Sequence, residues 1–179
     1  ISILYSMETC QVMENMQQTY NKLNSTWTMW AHLPHDTDWS LSSYKKIMTF
    51  DTIEELLSLI DIIPEKMVKN CMLFIMRAET KPTWEDPINR NGGCFSYKIF
   101  NKNVISIWNL LCYALIGESI SKNRDFCNSV TGLTISPKKN FCIIKIWMSN
   151  CNNQDHKSIV ELEGLNSHSC IFKKHTPEY

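Results

Sequence analysis

The chain has 179 residues and a mass of 20.9 kDa, which is the size of one domain with a buried core. Hydrophobic residues make up 44% and charged residues 20%, as in globular proteins, and no segment is apolar for long enough to span a membrane. Because 18 basic residues balance 18 acidic ones, the composition excludes a protein that covers a long track of nucleic acid phosphates, which would be strongly basic.

The N-terminal part is predicted to be a lead-in segment over residues 1–20, followed by one domain over residues 21–179. Residues 26–33 (TWTMWAHL) have the composition of a strand. Residues 34–46 contain Pro, Asp and several Ser, which indicates a loop, and Trp39 lies within it.

A helix is predicted over residues 50–63. Thr52 and Glu55 have the spacing of a capping box, in which each side chain accepts a hydrogen bond from the other residue's backbone N–H. Pro64 ends the helical pattern. One apolar face recurs at helical spacing: Leu56, Leu59, Ile60 and Ile63.

The remaining elements alternate between strands and helices. Strands are predicted over residues 71–78, 94–101, 141–149 and 169–174, and helices over residues 104–120 and, shorter, 155–162. A polar loop over residues 79–93 contains Trp84. Because the connections are short and there is no Rossmann glycine fingerprint, the pattern predicts an α+β fold. We expect a single domain with an antiparallel sheet, helices on one face, and the other face free to bind a ligand.

Eight cysteines are spread over the chain without a CxxC pair, and no Cys or His cluster has the spacing of a zinc site. Cys112 and Cys142 lie in apolar runs, where a free thiol behaves as a small hydrophobic side chain. The first residues lack the pattern of a signal peptide. We therefore expect no metal or cofactor, and a reducing, cytoplasmic environment.

Two of the six tryptophans, Trp39 and Trp84, fall in polar loops. Trp27, Trp30 and Trp108 fall within predicted strands or a helix, where core packing is the simplest interpretation. An indole in a loop must fold back onto the core or contact a ligand. Both interpretations of the two loop tryptophans are open from their positions alone.

The carboxylate of Glu85, directly after Trp84, favours the ligand. Two indole faces attract a flat cation, and an ionised carboxylate accepts two parallel N–H donors from one edge. A guanine methylated at N7 has both features, since it carries a delocalised positive charge and presents N1–H and the exocyclic amine along one edge. Adenine lacks these donors and would leave the carboxylate without a partner, which is costly.

The chain also resembles the mRNA cap-binding translation initiation factor 4E family over roughly residues 21–150. The landmarks are, in order, Trp27-x-x-Trp30, Trp39, Phe50-Asp51-Thr52, Pro82-Thr83-Trp84-Glu85-Asp86, Asn91-Gly92-Gly93, Trp108, Gly117-Glu118 and Ile144-Lys145-Ile146-Trp147. The resemblance implies a curved antiparallel sheet with helices on its convex face and a slot for the cap on its concave side. After about residue 150 the match is poor.

The resemblance implies a role for each residue at the cap base. Trp39 and Trp84 would stack on the methylated guanine, and Glu85 would bind its edge. The backbone N–H of Trp84 would donate to guanine O6. Trp147 would lie near the N7 methyl group.

The residues implied for the cap phosphates depart from the family pattern. Ile143 and Cys94 stand where the family has a Lys and an Arg. Lys138 and Lys139 fall where the family has basic residues that hold the triphosphate, and Lys145 is offset along the same strand face as Ile143. For Lys138 and Lys139 the alternative is a solvated turn.

The convex face of the family binds a helical Tyr-x-x-x-x-Leu-apolar peptide. Ile53 is kept, whereas Leu57 stands at the position of a Trp. Asn109 and Leu110 replace an apolar and acidic pair, and Tyr113 follows. This stripe suits a helical partner with altered specificity. Alternatively, Ile53 and Leu57 pack under the N-terminal segment.

These features predict a non-enzymatic protein that binds capped mRNA and recruits a scaffold initiation factor or a regulatory protein. It would be monomeric outside that complex and would not contact a membrane. A cap-binding repressor or decoy that does not engage the usual scaffold is the alternative. An enzyme such as a decapping hydrolase is disfavoured, because it would need clustered acids for metal ions. The acidic pairs Glu54-Glu55 and Glu85-Asp86 fall on a helix cap and in the stacking loop.

Overall fold

The computed structural model describes residues 20–165 and 170–177, where seven strands form one antiparallel sheet in the order β2-β1-β3-β5-β6-β4-β7. The strands are β1 (Lys22–His32), β2 (Lys45–Thr52), β3 (Met72–Arg77), β4 (Gly93–Phe100), β5 (Val130–Pro137), β6 (Phe141–Met148) and β7 (Cys170–Lys174). The helices are α1 (Ile53–Ile62), α2 (Glu65–Asn70), α3 (Val104–Ile116) and α4 (Arg124–Ser129). Short 3-10 turns lie at Leu41–Ser43, Asn101–Asn103 and His156–Ser158.

The two faces of the sheet differ because side chains alternate along each strand. On one face, the β1 side chains of Trp27, Met29 and Ala31 join a large apolar core with α1 and α3. On the other face, Trp30 packs in a second, smaller cluster with residues of β3 and β6. The expected α+β domain with helices on one face of an antiparallel sheet is confirmed.

Helix α1 begins with the predicted capping box. Thr52 Oγ1 accepts a hydrogen bond from the Glu55 N–H, and Glu55 Oε2 accepts one from the Thr52 N–H, both at 3.2 Å. The predicted start of the helix at residue 50 is wrong, because Phe50 lies in β2 opposite Trp27 of β1. Sheet pairing therefore keeps this segment extended up to the cap.

Several elements differ from the sequence-based expectation. Strand β1 begins at Lys22 rather than at residue 26, and α3 ends at Ile116 rather than at residue 120. The helix expected near residues 155–162 is a 3-10 turn. Strands β2 and β5 and helices α2 and α4 were not predicted. Strand β5 is buried on both faces, although apolar and polar residues alternate along Leu133-Thr134-Ile135-Ser136.

The double glycine at the start of β4 permits an unusually close backbone approach. A Cβ atom on Gly92 would collide with the carbonyl oxygen of Met148, and one on Gly93 would lie 2.7 Å from the carbonyl oxygen of Lys173. Strand β4 can therefore enter the sheet between β6 and β7. The loop that carries Trp84 ends at this fixed point.

The predicted lead-in segment lies outside the described residues, apart from Tyr20. None of the helices described here is both long enough and apolar enough to cross a membrane.

Candidate ligand-binding slot

A cavity of about 560 Å³ opens on the face of the sheet that lies opposite the helices. Its floor includes Phe74, Thr134, Lys145 and Trp147 from β3, β5 and β6. Its walls come from the segment after β1, which supplies Trp39 and Tyr44, and from the loop after β3, which supplies Trp84 and Glu85. The volume lies in the ordinary range for a small-molecule site.

The first wall is the indole of Trp39, which is 55% exposed and is supported from behind. The buried imidazole of His32 stacks on it, with ring centroids 4.2 Å apart and an interplanar angle of 3°. His32 Nε2 donates to the carbonyl oxygen of Asp38 at 2.8 Å. The Asp38 carboxylate accepts from the N–H and the hydroxyl of Ser40, which lower its pKa. These bonds hold the loop in place beside the indole.

The second wall is the indole of Trp84, which is supported in the same way. His175, just after β7, stacks on it at 5.6 Å and 12°, and contacts Trp147 at 4.8 Å. Its Nδ1 donates to the carbonyl oxygen of Asn89 at 2.8 Å. Burial, reinforced by the charge of Lys145, lowers the pKa of His175, so the ring is neutral near pH 7. Each indole wall therefore has a buried imidazole behind it.

The fully buried side chain of Asn89 anchors the loop that carries Trp84. Its amide donates to the carbonyl oxygens of Lys81 at 3.0 Å and Thr83 at 2.9 Å. Its Oδ1 accepts from the hydroxyl of Thr131 in β5 at 2.8 Å. One side chain thus ties the residues before Trp84 to the sheet.

Two charged side chains of opposite sign line the cavity. Glu85 lies near Tyr44, whose pKa is raised by burial and by this carboxylate. Lys145 lies opposite Thr134 on one side and Ser96 on the other, and its Nζ is 5.9 Å from the ring centroid of Trp84. The cavity therefore offers two aromatic faces, an anion and a cation to a ligand.

The turn between β5 and β6 holds the other two candidate phosphate ligands. Lys138 and Lys139 are exposed there, and the Lys138 N–H donates to the carbonyl oxygen of Phe141 at 2.7 Å. Neither of them is among the residues that line the cavity. These two lysines could therefore contact only a ligand that extends beyond the slot.

Residues 22–176 match the family model described as "Eukaryotic initiation factor 4E", which covers most of the chain. The chain belongs to this family. Isoform 4E of Capsicum annuum is 33% identical to it over 141 residues, which are 75% of this chain and 67% of that protein. Factor 4E-2 of Schizosaccharomyces pombe is 31% identical over 166 residues, which are 88% of this chain and 65% of that protein. The chain thus spans about two thirds of the length of these relatives.

Solved structures of 4E-family proteins have the same fold. Ascaris suum eIF4E-3 in complex with the m7G cap aligns with a TM-score of 0.66 and 23% identity, over 76% of this chain and 78% of that one. Schistosome eIF4E complexed with m7GpppG and 4E-BP aligns with a TM-score of 0.69 and 22% identity, over 76% of each chain. The landmark residues of the 4E family therefore occur here on the family's fold.

Sequence reasoning placed Trp39, Trp84, Glu85 and Trp147 of this 4E-family chain together, and all of them line one cavity. It missed the two supporting histidines and Asn89. His32 could have been found, because it follows Trp30 by two residues in a strand and so shares its face. His175 carries no local signal, because only the pairing of β7 with β4 brings it to Trp84.

The candidate partner residues lie on the helical side of the sheet. Ile53 and Leu57 of α1 and Leu110 and Tyr113 of α3 are exposed apolar side chains. Asn109 is half-buried and lines a cleft of about 190 Å³ formed largely by α1, α2 and α3. Within residues 20–165 and 170–177, no group of three or more His, Cys, Asp or Glu side chains is placed to hold a metal ion.

Proposed function

We propose that this 4E-family chain binds the 7-methylguanosine cap of mRNA in the slot, with the guanine stacked between Trp39 and Trp84. The observation that carries the proposal is that two imidazole-supported indoles line one cavity with the carboxylate of Glu85. A flat cation between two indoles gains on the order of 2 kcal/mol when it is desolvated. The cap complexes solved for the Ascaris and schistosome relatives support the same ligand here.

The edge of the guanine would be recognised by Glu85. An ionised carboxylate accepts the N1–H and the exocyclic amine in a bidentate arrangement, as it accepts the two N–H donors of an Arg. The backbone N–H of Trp84 donates to O6, and the buried ring of Trp147 packs near the N7 methyl group. Unmethylated guanine keeps the edge contacts but lacks the positive charge, so it stacks less tightly.

The cap phosphates would be bound first by Lys145, and farther along the chain by Lys138 and Lys139. Lys145 Nζ and the methylated guanine are both cations attracted to the ring of Trp84. Because like charges repel, the bound base drives the ammonium toward the phosphates. Binding of the base and binding of the phosphates are coupled through this one side chain.

Tryptophan fluorescence tests the slot. The wild-type protein is titrated with 7-methylguanosine triphosphate and, as a control, with unmethylated GTP. We expect the methylated ligand to quench the fluorescence strongly and to bind with at least tenfold higher affinity than GTP. Binding should be lost in Trp84→Ala and in Glu85→Gln. Glu79→Gln removes an exposed carboxylate outside the cavity and should bind normally. Equal affinity for both nucleotides, or full binding by Glu85→Gln, would overturn the proposal.

The role that follows is that of a non-enzymatic, cytoplasmic factor that recruits capped mRNA in translation initiation through a helical partner on α1 and α3. A cap-binding repressor is the second candidate, because Leu57 stands where the family has a Trp on the partner-binding face. Binding of a Tyr-x-x-x-x-Leu-apolar scaffold peptide, lost in Leu57→Asp, would support the initiation factor. Cap binding without peptide binding would support the repressor.

A further inference from the structure

The face of the sheet that carries the slot is called the slot face. Its outer strands carry a second aromatic and basic surface beyond the cavity. Phe100 and Phe141 are register partners on β4 and β6, and Lys98 lies on the same face of β4. Lys98 Nζ is 4.5 Å from the ring centroid of Phe141 and 5.5 Å from that of Phe100. Phe100 is 58% exposed, and Ile171 of the edge strand β7, on the same face, is 69% exposed. We call Lys98, Phe100 and Phe141 the outer platform.

The outer platform is continuous with the slot. Along β6, Trp147, Lys145, Ile143 and Phe141 alternate with core residues, so all four point to the slot face. The row from Trp147 to Phe141 spans about 20 Å, at about 3.3 Å per residue. A guanine held at the slot end leaves room along this row for its phosphates and for the nucleoside that follows. The platform rings lie at the far end of that path.

The charge of this region also suits a polyanion. Strands β4, β6 and β7 contain four lysines and no Asp or Glu, in a chain whose formal net charge is zero. Three of these lysines, at positions 98, 145 and 173, lie on the slot face. Exposed aromatic rings beside a basic track are the usual elements of a surface for single-stranded nucleic acid, because bases stack on rings while cations bind phosphates.

We propose that the outer platform binds the first nucleotides of a capped RNA, with a base stacked on Phe100 or Phe141 and Lys98 on a phosphate. This inference rests on the proposed cap binding and extends it along the RNA chain. Lys98 now lies against both rings, and an RNA phosphate would draw its ammonium away and free a ring for a base. The 4E-family chain would then read more of an mRNA end than the cap alone.

The test compares three probes: 7-methylguanosine triphosphate, a short single-stranded RNA with the same cap, and that RNA uncapped. Stacking of one base contributes enough to make the capped RNA bind about tenfold more tightly than the nucleotide. The ratio of the affinity for capped RNA to the affinity for the nucleotide should fall in Phe100→Ala and in Lys98→Gln, and it should be kept in Phe100→Tyr. The affinity for 7-methylguanosine triphosphate should stay unchanged in all three variants. Ile62→Ala, an exposed change on α1, is a control that should alter neither affinity.

Equal binding of the capped nucleotide and the capped RNA by the wild-type protein would overturn the outer platform and leave the cap proposal intact. The same conclusion follows if Phe100→Ala still binds the capped RNA more tightly than the nucleotide. It also follows if the only effect of Phe100→Ala is to turn a self-associated form into monomers, because the rings would then contact a second copy of the protein and not RNA. If the wild-type protein fails to bind the capped nucleotide, the cap proposal fails. The uncapped RNA then decides the platform, since its binding should still weaken in Phe100→Ala.

Discussion

Two single residues, the histidines behind the indoles, determine how firmly the walls of the slot are held. A stacked indole is a useful receptor only if its plane is held, and a loop tryptophan has no strand to hold it. His32 and His175 supply a flat, buried surface behind each ring, and each is fixed by a hydrogen bond to a backbone carbonyl. The imidazole of His175, whose pKa is lowered by burial, also adds no positive charge near pH 7 that would oppose a cationic base.

The buried imidazole of His175 predicts a pH-dependent stability. Its pKa in the folded protein lies below the ordinary value of 6.5, so the unfolded chain binds the proton more readily as the pH falls through this range. The contribution of this group to the free energy of unfolding should therefore be intact above pH 6.5 and should be lost progressively as the pH falls below that value. Urea unfolding at several pH values measures this.

The variant His175→Phe keeps a ring against Trp84 but cannot titrate, so the part of the pH slope due to His175 should disappear. His35→Asn is the matched control. His35 is exposed and has a φ of 68°, a backbone conformation that Asn tolerates. An unchanged slope in His175→Phe would show that other groups cause the acid sensitivity.

At the scale of elements, the loop between β3 and β4 is held by several hydrogen bonds, and one fully buried amide makes the most of them. Asn89 bonds to Lys81, Thr83 and Thr131, and its own carbonyl oxygen accepts from His175. The loop is therefore ordered by hydrogen bonds rather than by an apolar core. Removal of these bonds should therefore both displace the indole of Trp84 and lower the free energy of unfolding of the protein.

Replacing Asn89 with Ala leaves two loop carbonyls and the Thr131 hydroxyl without this partner. Each buried group that loses its hydrogen bond costs about 1–3 kcal/mol, so we expect lower stability and at least tenfold weaker binding of 7-methylguanosine triphosphate. Thermal unfolding and a fluorescence titration measure the two effects. Asn128→Ala, in an exposed position of α4, should change neither. Reduced stability with unaltered affinity would show that Asn89 does not position the slot.

How much of each element could be predicted depends on whether its pattern is local. Helix α1 was recognised from its capping box, because both partners lie within one turn. Strand β2 was missed because its extended state depends on pairing with β1. The indoles and Glu85 were found from loop composition and the family landmarks, whereas His175 and Asn89 require the register of distant strands.

At the scale of the whole molecule the charges sum to zero, but one part of the sheet carries basic residues without acidic ones. Three of the four lysines of β4, β6 and β7 lie on the slot face, and these strands contain no acids, whereas Glu54 and Glu65 on the helical layer are mixed with Lys66 and Lys69. A polyanion would therefore be attracted to these three strands, and at short range, because salt screens charges over about 10 Å.

This separation predicts a modest and local salt dependence of capped-RNA binding. Each phosphate neutralised on a single strand contributes about −0.7 to the slope of log affinity against log salt. If Lys98, Lys138, Lys139 and Lys145 all bind phosphates, the slope should be about −3 or smaller in magnitude. Lys98→Gln should reduce that magnitude by about 0.7, whereas Lys66→Gln, exposed on α2, should leave it unchanged. A change in the Lys66 variant alone would place the RNA elsewhere.

Strand β7 has a consequence for how the protein is made. It joins the sheet at an edge beside β4 and leads directly to His175, which supports Trp84. Chains are synthesised from the N-terminus, so both indoles are translated well before this imidazole. The Trp84 wall therefore gains its imidazole support only after the chain has been made as far as His175. A nascent chain that ends before this residue carries both indoles but lacks the imidazole behind Trp84.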